Sequence, residues 1–212
     1  MKYKKSAGQN AKERILDVSE KLFAEGSFAS VSVRTVTSAA NVNLSAVNYY
    51  FGSKKGLFQA VYVRRATLMN HERLGLLQEA VGKARQEGRA VSVRELVNAM
   101  LTPPIFWLYE KEKGLSGYIR FLARAYLEAA SDMENVLSQE VDVFDKFVPY
   151  FQEVNPSLTV EDIYWRIHFI MGVMHHTINH LDRIGLLSHT ACSVETREQT
   201  RDRMVAFCCE GF

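Results

Sequence analysis

Apolar residues recur every three to four positions along most of the chain, and no stretch alternates with the period of two that marks a half-buried strand. The pattern predicts an all-α protein. In the first helix, roughly 11–25, Ile15, Leu16, Val18, Leu22 and Phe23 fall on one face, and Gly26 ends it. Ser32 is placed to cap a second helix, 33–40, that buries Val33, Val36 and Ala40. Ala39-Ala40-Asn41-Val42 reads as a tight turn, since Asn tolerates the left-handed backbone such turns need. Asn43 then caps a third helix, 44–50, with Val47 and Phe51 turned inward. Gly52-Ser53 breaks the chain, and Ser53 caps a longer helix from Lys54 to about Leu77.

The remainder is also read as helical. Ser92 and Glu95 form a capping box ahead of Leu96, Val97 and Met100. Pro103-Pro104 is expected to interrupt that helix, with Ile105 to Lys111 resuming it. Gly114 to Gly117 reads as a loop, followed by helices from Tyr118 to about Ala130 and from about Met133 to Phe151, the latter bent or ended by Pro149. Thr159 and Asp162 make a second capping pair for a helix reaching Ile184, which Gly185 ends; Ser193 opens the last helix. The gap at 82–91 is the best candidate for a linker or mobile loop. We divide the chain into an N-terminal three-helix unit, 1–56, and a larger helical unit, 57–212.

Composition fits this picture. The 212 residues are 47% hydrophobic and 24% charged, enough to build a core. Apolar runs are too short to span a membrane, and the basic start MKYKKSAGQNAKERI lacks the apolar core of a signal peptide, so a cytoplasmic location is expected. Three late cysteines, Cys192, Cys208 and Cys209, show no disulfide framework.

Charge changes the picture more. Residues 1–65 hold eleven Lys and Arg against four Asp and Glu, while the whole chain is only +2. No acid occurs between Glu25 and Glu72, a stretch that carries Arg34, Lys54, Lys55, Arg64 and Arg65. A surface that approaches phosphates avoids carboxylates, because like charges repel. Two short helices joined by a tight turn can set the second into the major groove of DNA. The outward positions of 44–50 are Leu44, Ser45, Asn48 and Tyr49, with Tyr50 at the edge. Asn pairs with adenine through two hydrogen bonds, and Ser reads several bases. Tyr50, Ser53 and Lys54 suit phosphates at the groove mouth. Asn43 starts the recognition helix, Arg34 and Thr35 suit the flanking backbone, and Lys2, Lys4 and Lys5 add basic charge.

The stretch RILDVSEKLFAEGSFASVSVRTVTSAANVNLSAVNYYFGSKKGLFQAV, Arg14 to Val61, resembles the DNA-binding domain of the TetR family of regulators. LFAEG, SVRTV and VNYYFGSKKGLF carry the likeness. Asn41 stands where that family usually has glycine, Asn48 where it usually has tyrosine and Tyr50 where histidine is common, so the usual contact at Asn48 is not assumed. NLSAVNYYFGSKKGL and YWRIHFIMG further resemble the fatty-acid-responsive subgroup typified by PsrA. The resemblance implies a homodimeric repressor of double-stranded operator DNA, released by a small hydrophobic effector, with the last two helices of each copy forming a four-helix interface.

In the larger unit, helix 159–184 is apolar around most of its circumference, which suits contact with both core and partner. Interface candidates are Met174, Ile178, Leu181, Met204, Phe207 and Cys208. Effector candidates are the aromatics Phe106, Trp107, Phe121, Phe147, Trp165 and Phe169, with Arg120, Arg124 or His168 holding an acidic head group. Arg120 and Arg124 equally suit surface pairing with Glu128. The effector is read as a long-chain fatty acid or acyl-CoA, or else an unrelated hydrophobic or aromatic compound. His176 and His180 have zinc-compatible spacing but no evident third ligand, so no metal and no cofactor is expected. Phosphate loops, nucleotide fingerprints, GxSxG and acid–base pairs were not found, which sets an enzyme aside. A helical adaptor would not need the acid-free head.

Overall fold

The structure, a computed structural model, describes residues 7–112, 114–128 and 141–212, with residues 7–10 and 123–128 as backbone only. Among these residues there is helix and no strand. The elements are α1 (Ala7–Glu25), α2 (Val33–Ala39), α3 (Ser45–Phe51), α4 (Lys54–Gln86), α5 (Val93–Tyr109), α6 (Leu115–Glu128), a short 3₁₀ turn at Phe144–Lys146, α7 (Val148–Val154), α8 (Val160–His180), α9 (Arg183–Leu187) and α10 (Arg197–Cys209).

α1, α2, α3 and the start of α4 form the head. Its core is Ile15, Phe23, Val36, Ala40, Val47, Leu57, Phe58 and Val61, one stripe from each helix. α4 passes unbroken from the head into the larger unit. There α5 is the central helix, packed on α4, α6, α8 and α10. The two parts meet where α6 crosses α1: Phe121 stacks on Phe23 at 6.0 Å and meets Phe58 edge-on at 5.1 Å. Gly117 lets the helices approach, since a Cβ there would lie 3.3 Å from that of Ala24. Tyr118 adds two hydrogen bonds to the Val61 and Tyr62 carbonyls, and Arg64 bridges Glu13 and Asp17 while Arg65 pairs with Glu20.

Several expected boundaries differ. α4 continues nine residues past Leu77 because Leu77, Val81 and Ala84 extend its buried stripe. The expected linker at 82–91 shrinks to a turn at 87–92, closed by Gly88 at φ 69° and by Arg89 N–H donating to the Ala84 carbonyl. Pro103-Pro104 does not interrupt α5. Pro104 has no N–H for the Met100 carbonyl, and Arg73 Nε donates to it instead at 3.1 Å. Gly114, at φ 72°, turns the chain, but Leu115 to Gly117 already belong to α6. The expected helix 133–151 lies outside the described residues up to 140. Beyond that the chain turns at 142–147, and Pro149 opens α7 rather than ending a helix, since its ring suits a first turn. α8 stops at His180, Gly185 sits inside α9, and Thr196 with Gln199, not Ser193, caps the last helix. The Ser32, Ser53, Ser92 and Thr159 caps all form as expected.

Candidate nucleic-acid interface

The recognition helix is held from behind. Val47 is fully buried in the core that also holds Val36 and Ala40, where α2 and α3 pack together. Asn41 adopts φ 51°, the left-handed turn expected of it. The Val42 N–H then reaches back to the Thr37 carbonyl at 3.0 Å, and Arg14 Nε takes the Ala40 carbonyl at 3.1 Å, so the end of α2 is tied to α1. Asn43 Oδ1 accepts from both the Ser45 N–H and its hydroxyl at 3.0 Å, starting α3 one residue later than expected.

What faces outward is Leu44, Ser45, Asn48 and Tyr49, all exposed, with Tyr50 half-buried beside them. Tyr49 is 81% exposed and packs edge-on to Tyr50 at 4.8 Å. Arg34 and Thr35 are exposed at the start of α2, where Ser32 Oγ accepts the Thr35 N–H. Ser53 Oγ accepts the Gly56 N–H, which spends that cap on the helix. Lys54 lies over the Phe28 ring at 4.4 Å, so its ammonium is held at the edge of the face. Arg34, Thr35, Asn43, Leu44, Ser45, Asn48, Tyr49 and Ser53 are exposed, Tyr50 and Lys54 are half-buried, and no carboxylate comes from α2, α3 or the loops between them.

Gly56 is a residue the pattern did not single out. Its Cβ would lie 2.0 Å from the Phe51 carbonyl oxygen, so the end of α3 presses directly on the first turn of α4. Gly52, at φ 74°, makes the bend that permits it.

The effector candidates are not gathered into one cavity. Trp107 is buried and donates from Nε1 to Glu72 at 3.0 Å; Phe121 lies at the α1–α6 junction; Phe147 is deep in the core. Phe106 sits under Arg197 and Arg201, at 4.5 and 5.4 Å. Arg120 is exposed, and the side chain of Arg124 lies outside the described residues. Trp165 and Phe169 are 55% and 61% exposed, and His168 is exposed between them, because they occupy the outward stripe of α8. Conversely, the interface candidates Met174, Ile178, Met204 and Cys208 are buried within their own chain, Leu181 is half-buried, and only Phe207 stands out, at 68%. A helix apolar on both faces does not tell from its sequence which face the core takes. Below this stripe a groove of about 550 Å³ runs between the end of α8, α9 and α10, bordered by His176, His180 and Arg203.

A helix-turn-helix head on a larger helical unit, with no acid on the outward side of α3, is an arrangement found in DNA-binding transcriptional regulators. The family comparison agrees. The model of bacterial regulatory proteins of the tetR family matches residues 15–61, and the tetracyclin repressor-like C-terminal domain matches residues 98–211, more than half of the chain. The chain belongs to the TetR family of transcriptional regulators. No curated protein matches it in sequence. Its fold is shared by the fatty acid degradation regulator FadR of Bacillus halodurans (TM-score 0.61, 12% identity, covering 97% of this chain and 96% of that one). A transcriptional regulator of Aquifex aeolicus is similar too (TM-score 0.56, 20% identity, 95% and 99% covered). So is the superantigen PfiT (TM-score 0.63, 17% identity, 93% and 95% covered). At these identities the likeness is one of fold, and fold alone does not assign a ligand. Among the described residues, no helix is long and apolar enough to cross a membrane.

Proposed function

We propose that the protein is a homodimeric repressor that reads operator DNA through α3 and is released by an apolar small molecule bound in its larger unit. The observation that carries this reading is the outward face of α3: Ser45, Asn48 and Tyr49 exposed, no acid beside them, on a helix whose back is locked by Val47. Asn48 and Ser45 supply base-edge hydrogen bonds, Tyr49 supplies apolar contact and stacking, and Arg34, Thr35, Tyr50 and Lys54 hold phosphates on either side.

Two copies are needed to span two half-sites about 34–36 Å apart. The outward stripe of α8 with Phe207 of α10 suits that pairing: Trp165 and Phe169 are large exposed apolar groups in a row, and Gly172 lies on the same face without a side chain to hold a partner helix away. The interface therefore centres on Trp165, Phe169 and Phe207 rather than on Met174 and Ile178.

Release follows from α6. One of its faces carries Phe121 and Gly117 against α1; the other carries Ile119 and Leu122 into the interior of the larger unit. A molecule wedged against Ile119 and Leu122 shifts α6, and α1 with the head moves with it. The effector is an acyl compound, a long-chain fatty acid or acyl-CoA, in this reading; the fold relative FadR is itself a fatty acid degradation regulator, which favours testing that class first. Fluorescence anisotropy of the full-length protein on duplexes from its own upstream region, with oleate or acyl-CoA titrated in, tests both halves. Binding at low salt that either compound releases supports the reading. Indifference to every duplex overturns the DNA-binding role, and DNA binding untouched by either compound overturns the acyl effector.

A further inference from the structure

Among the described residues, Leu186 and Leu187 of α9 are the most exposed large aliphatic side chains, at 80% and 79%. The turn that follows holds them outward. His189 and Thr190 take φ 51° and 70°, Thr190 N–H donates to the Gly185 carbonyl at 2.8 Å, and Ser188 Oγ accepts the Cys192 N–H at 2.9 Å. A β-branched residue in the left-handed region is strained, so these hydrogen bonds offset a cost to keep the turn in place.

Leu187 stands at the groove of about 550 Å³ between α8, α9 and α10, whose walls include Leu181, Ile184, Val194 and Met204. Two outward stripes run into it. On α8, Trp165, Phe169, Gly172, His176 and His180 follow one another at helical spacing, and the last two border the groove. On α10, Arg203 borders it and Phe207 lies one turn further along the same side, 68% exposed. The groove therefore continues the face proposed above for pairing. A two-fold interface is self-complementary, so a face with protruding side chains must also carry the hollow that receives them.

Size points the same way. Stable homodimers bury about 1,000 Å² or more per partner, roughly two-thirds of it apolar. Tyr164, Trp165, Phe169 and Phe207 together offer roughly 450 Å², taking about 200 Å² for a fully buried aromatic side chain. That falls short of the apolar part. Leu186 and Leu187 add roughly 200 Å² and bring the face to the size a stable pair needs.

We infer that a second copy of this chain fills the groove with its α9: Leu186 and Leu187 of the partner subunit seat against Leu181, Ile184 and Met204, and the same exchange occurs in the other direction. This inference rests on the pairing of copies through α8 and adds α9 and the groove to it. Cys192 is part of the groove wall and is exposed in the single chain, so the exchange covers its thiol.

Sedimentation velocity of the full-length protein over a concentration series tests it. Leu186→Asn with Leu187→Asn raises the dimer dissociation constant at least about tenfold. Helix content by circular dichroism stays the same, because both side chains already lie in solvent. An unchanged dissociation constant overturns the inference. Trp165→Glu with Phe169→Glu separates it from the reading it rests on. If that variant is monomeric while the leucine variant pairs like the wild type, pairing through α8 stands and the α9 exchange falls. A wild type that is monomeric at every concentration overturns both. Maleimide labelling, located by peptide mass, gives a reading that leaves α9 unaltered: Cys192 loses its reactivity in the wild-type dimer and keeps it in the Trp165→Glu, Phe169→Glu monomer. Equal labelling of Cys192 in the two overturns the α9 exchange.

Discussion

Gly56 has no room for a side chain. A Cβ there meets the Phe51 carbonyl oxygen at 2.0 Å, so Gly56→Ala has to push α3 away from α4. The expected cost is about 1–3 kcal/mol, read as a lower urea midpoint, with weakened DNA binding because α3 shifts. Tyr49→Ala behaves in the opposite way. Its side chain is almost wholly in solvent, so the thermal midpoint stays within error while the preferred operator sequence changes in a binding selection. Unchanged preference places Tyr49 outside the reading face. His175 governs a third expectation. Its pKa lies near 4 against an ordinary 6.5, so between those values the unfolded chain binds more protons than the folded one. Stability therefore falls as pH drops from about 6.5 to 4 and gains no further loss from this group below that. His175→Gln flattens that slope in thermal melts; an unchanged slope contradicts the assignment. At this scale the outward residues of α3 were legible, because helical spacing from Val47 fixes them. Gly56 was not, because the clash is with backbone five residues away. Arg73 had a signal that went unused: it shares the stripe of Tyr62, Ala66, Met69, Leu77, Val81 and Ala84, and a cation at helical spacing among buried residues is itself information.

The helices were easier to find than their ends. Caps written in neighbouring residues, Ser32, Ser53, Ser92–Glu95 and Thr159–Asp162, were visible in the chain and form. Glu95 is further held by Arg89, whose hydrogen bond takes the carboxyl down to about 2. Pro103-Pro104 misled because the compensation comes from another helix. With Arg73 Nε in place of the lost N–H, α5 runs on to Tyr109. The pair predicts a measurable coupling. Arg73→Met alone orphans a buried carbonyl, at about 1–3 kcal/mol. Adding Pro104→Ala recovers part of that loss, so the double-variant cycle gives a favourable interaction energy. Strict additivity in chemical denaturation contradicts the account of α5. α8 shows the opposite limit. Ile163, Ile167, Ile170, Met174 and Ile178 make one apolar stripe, and Trp165 and Phe169 extend another. Periodicity found both and could not say which the core takes: Met174 and Ile178 are buried within their own chain, while Trp165 and Phe169 face outward.

For the whole molecule, the head and the larger unit act as one body through α4 and through the α1–α6 contact. Arg64 and Arg65 of α4 tie to Glu13, Asp17 and Glu20 of α1, which pairs three of the head's four acids. The proposed pairing of two copies through the outward face of α8 predicts that Trp165→Glu with Phe169→Glu yields monomers in sedimentation and a large loss of operator affinity, with the head still folded. The class of the protein was legible from fifty residues because a recognition helix must show its chemistry in local order. The packing of α4, α6 and α8 was not, because it brings together residues from distant segments. The account stands or falls on DNA recognition, and anisotropy titrations of the full-length protein on its upstream duplex across a salt series measure it most directly. The prediction is tight binding at low salt whose logarithm falls linearly with the logarithm of salt concentration, at a slope near 0.9 for each phosphate contacted. No binding at low salt, or affinity indifferent to salt, contradicts it.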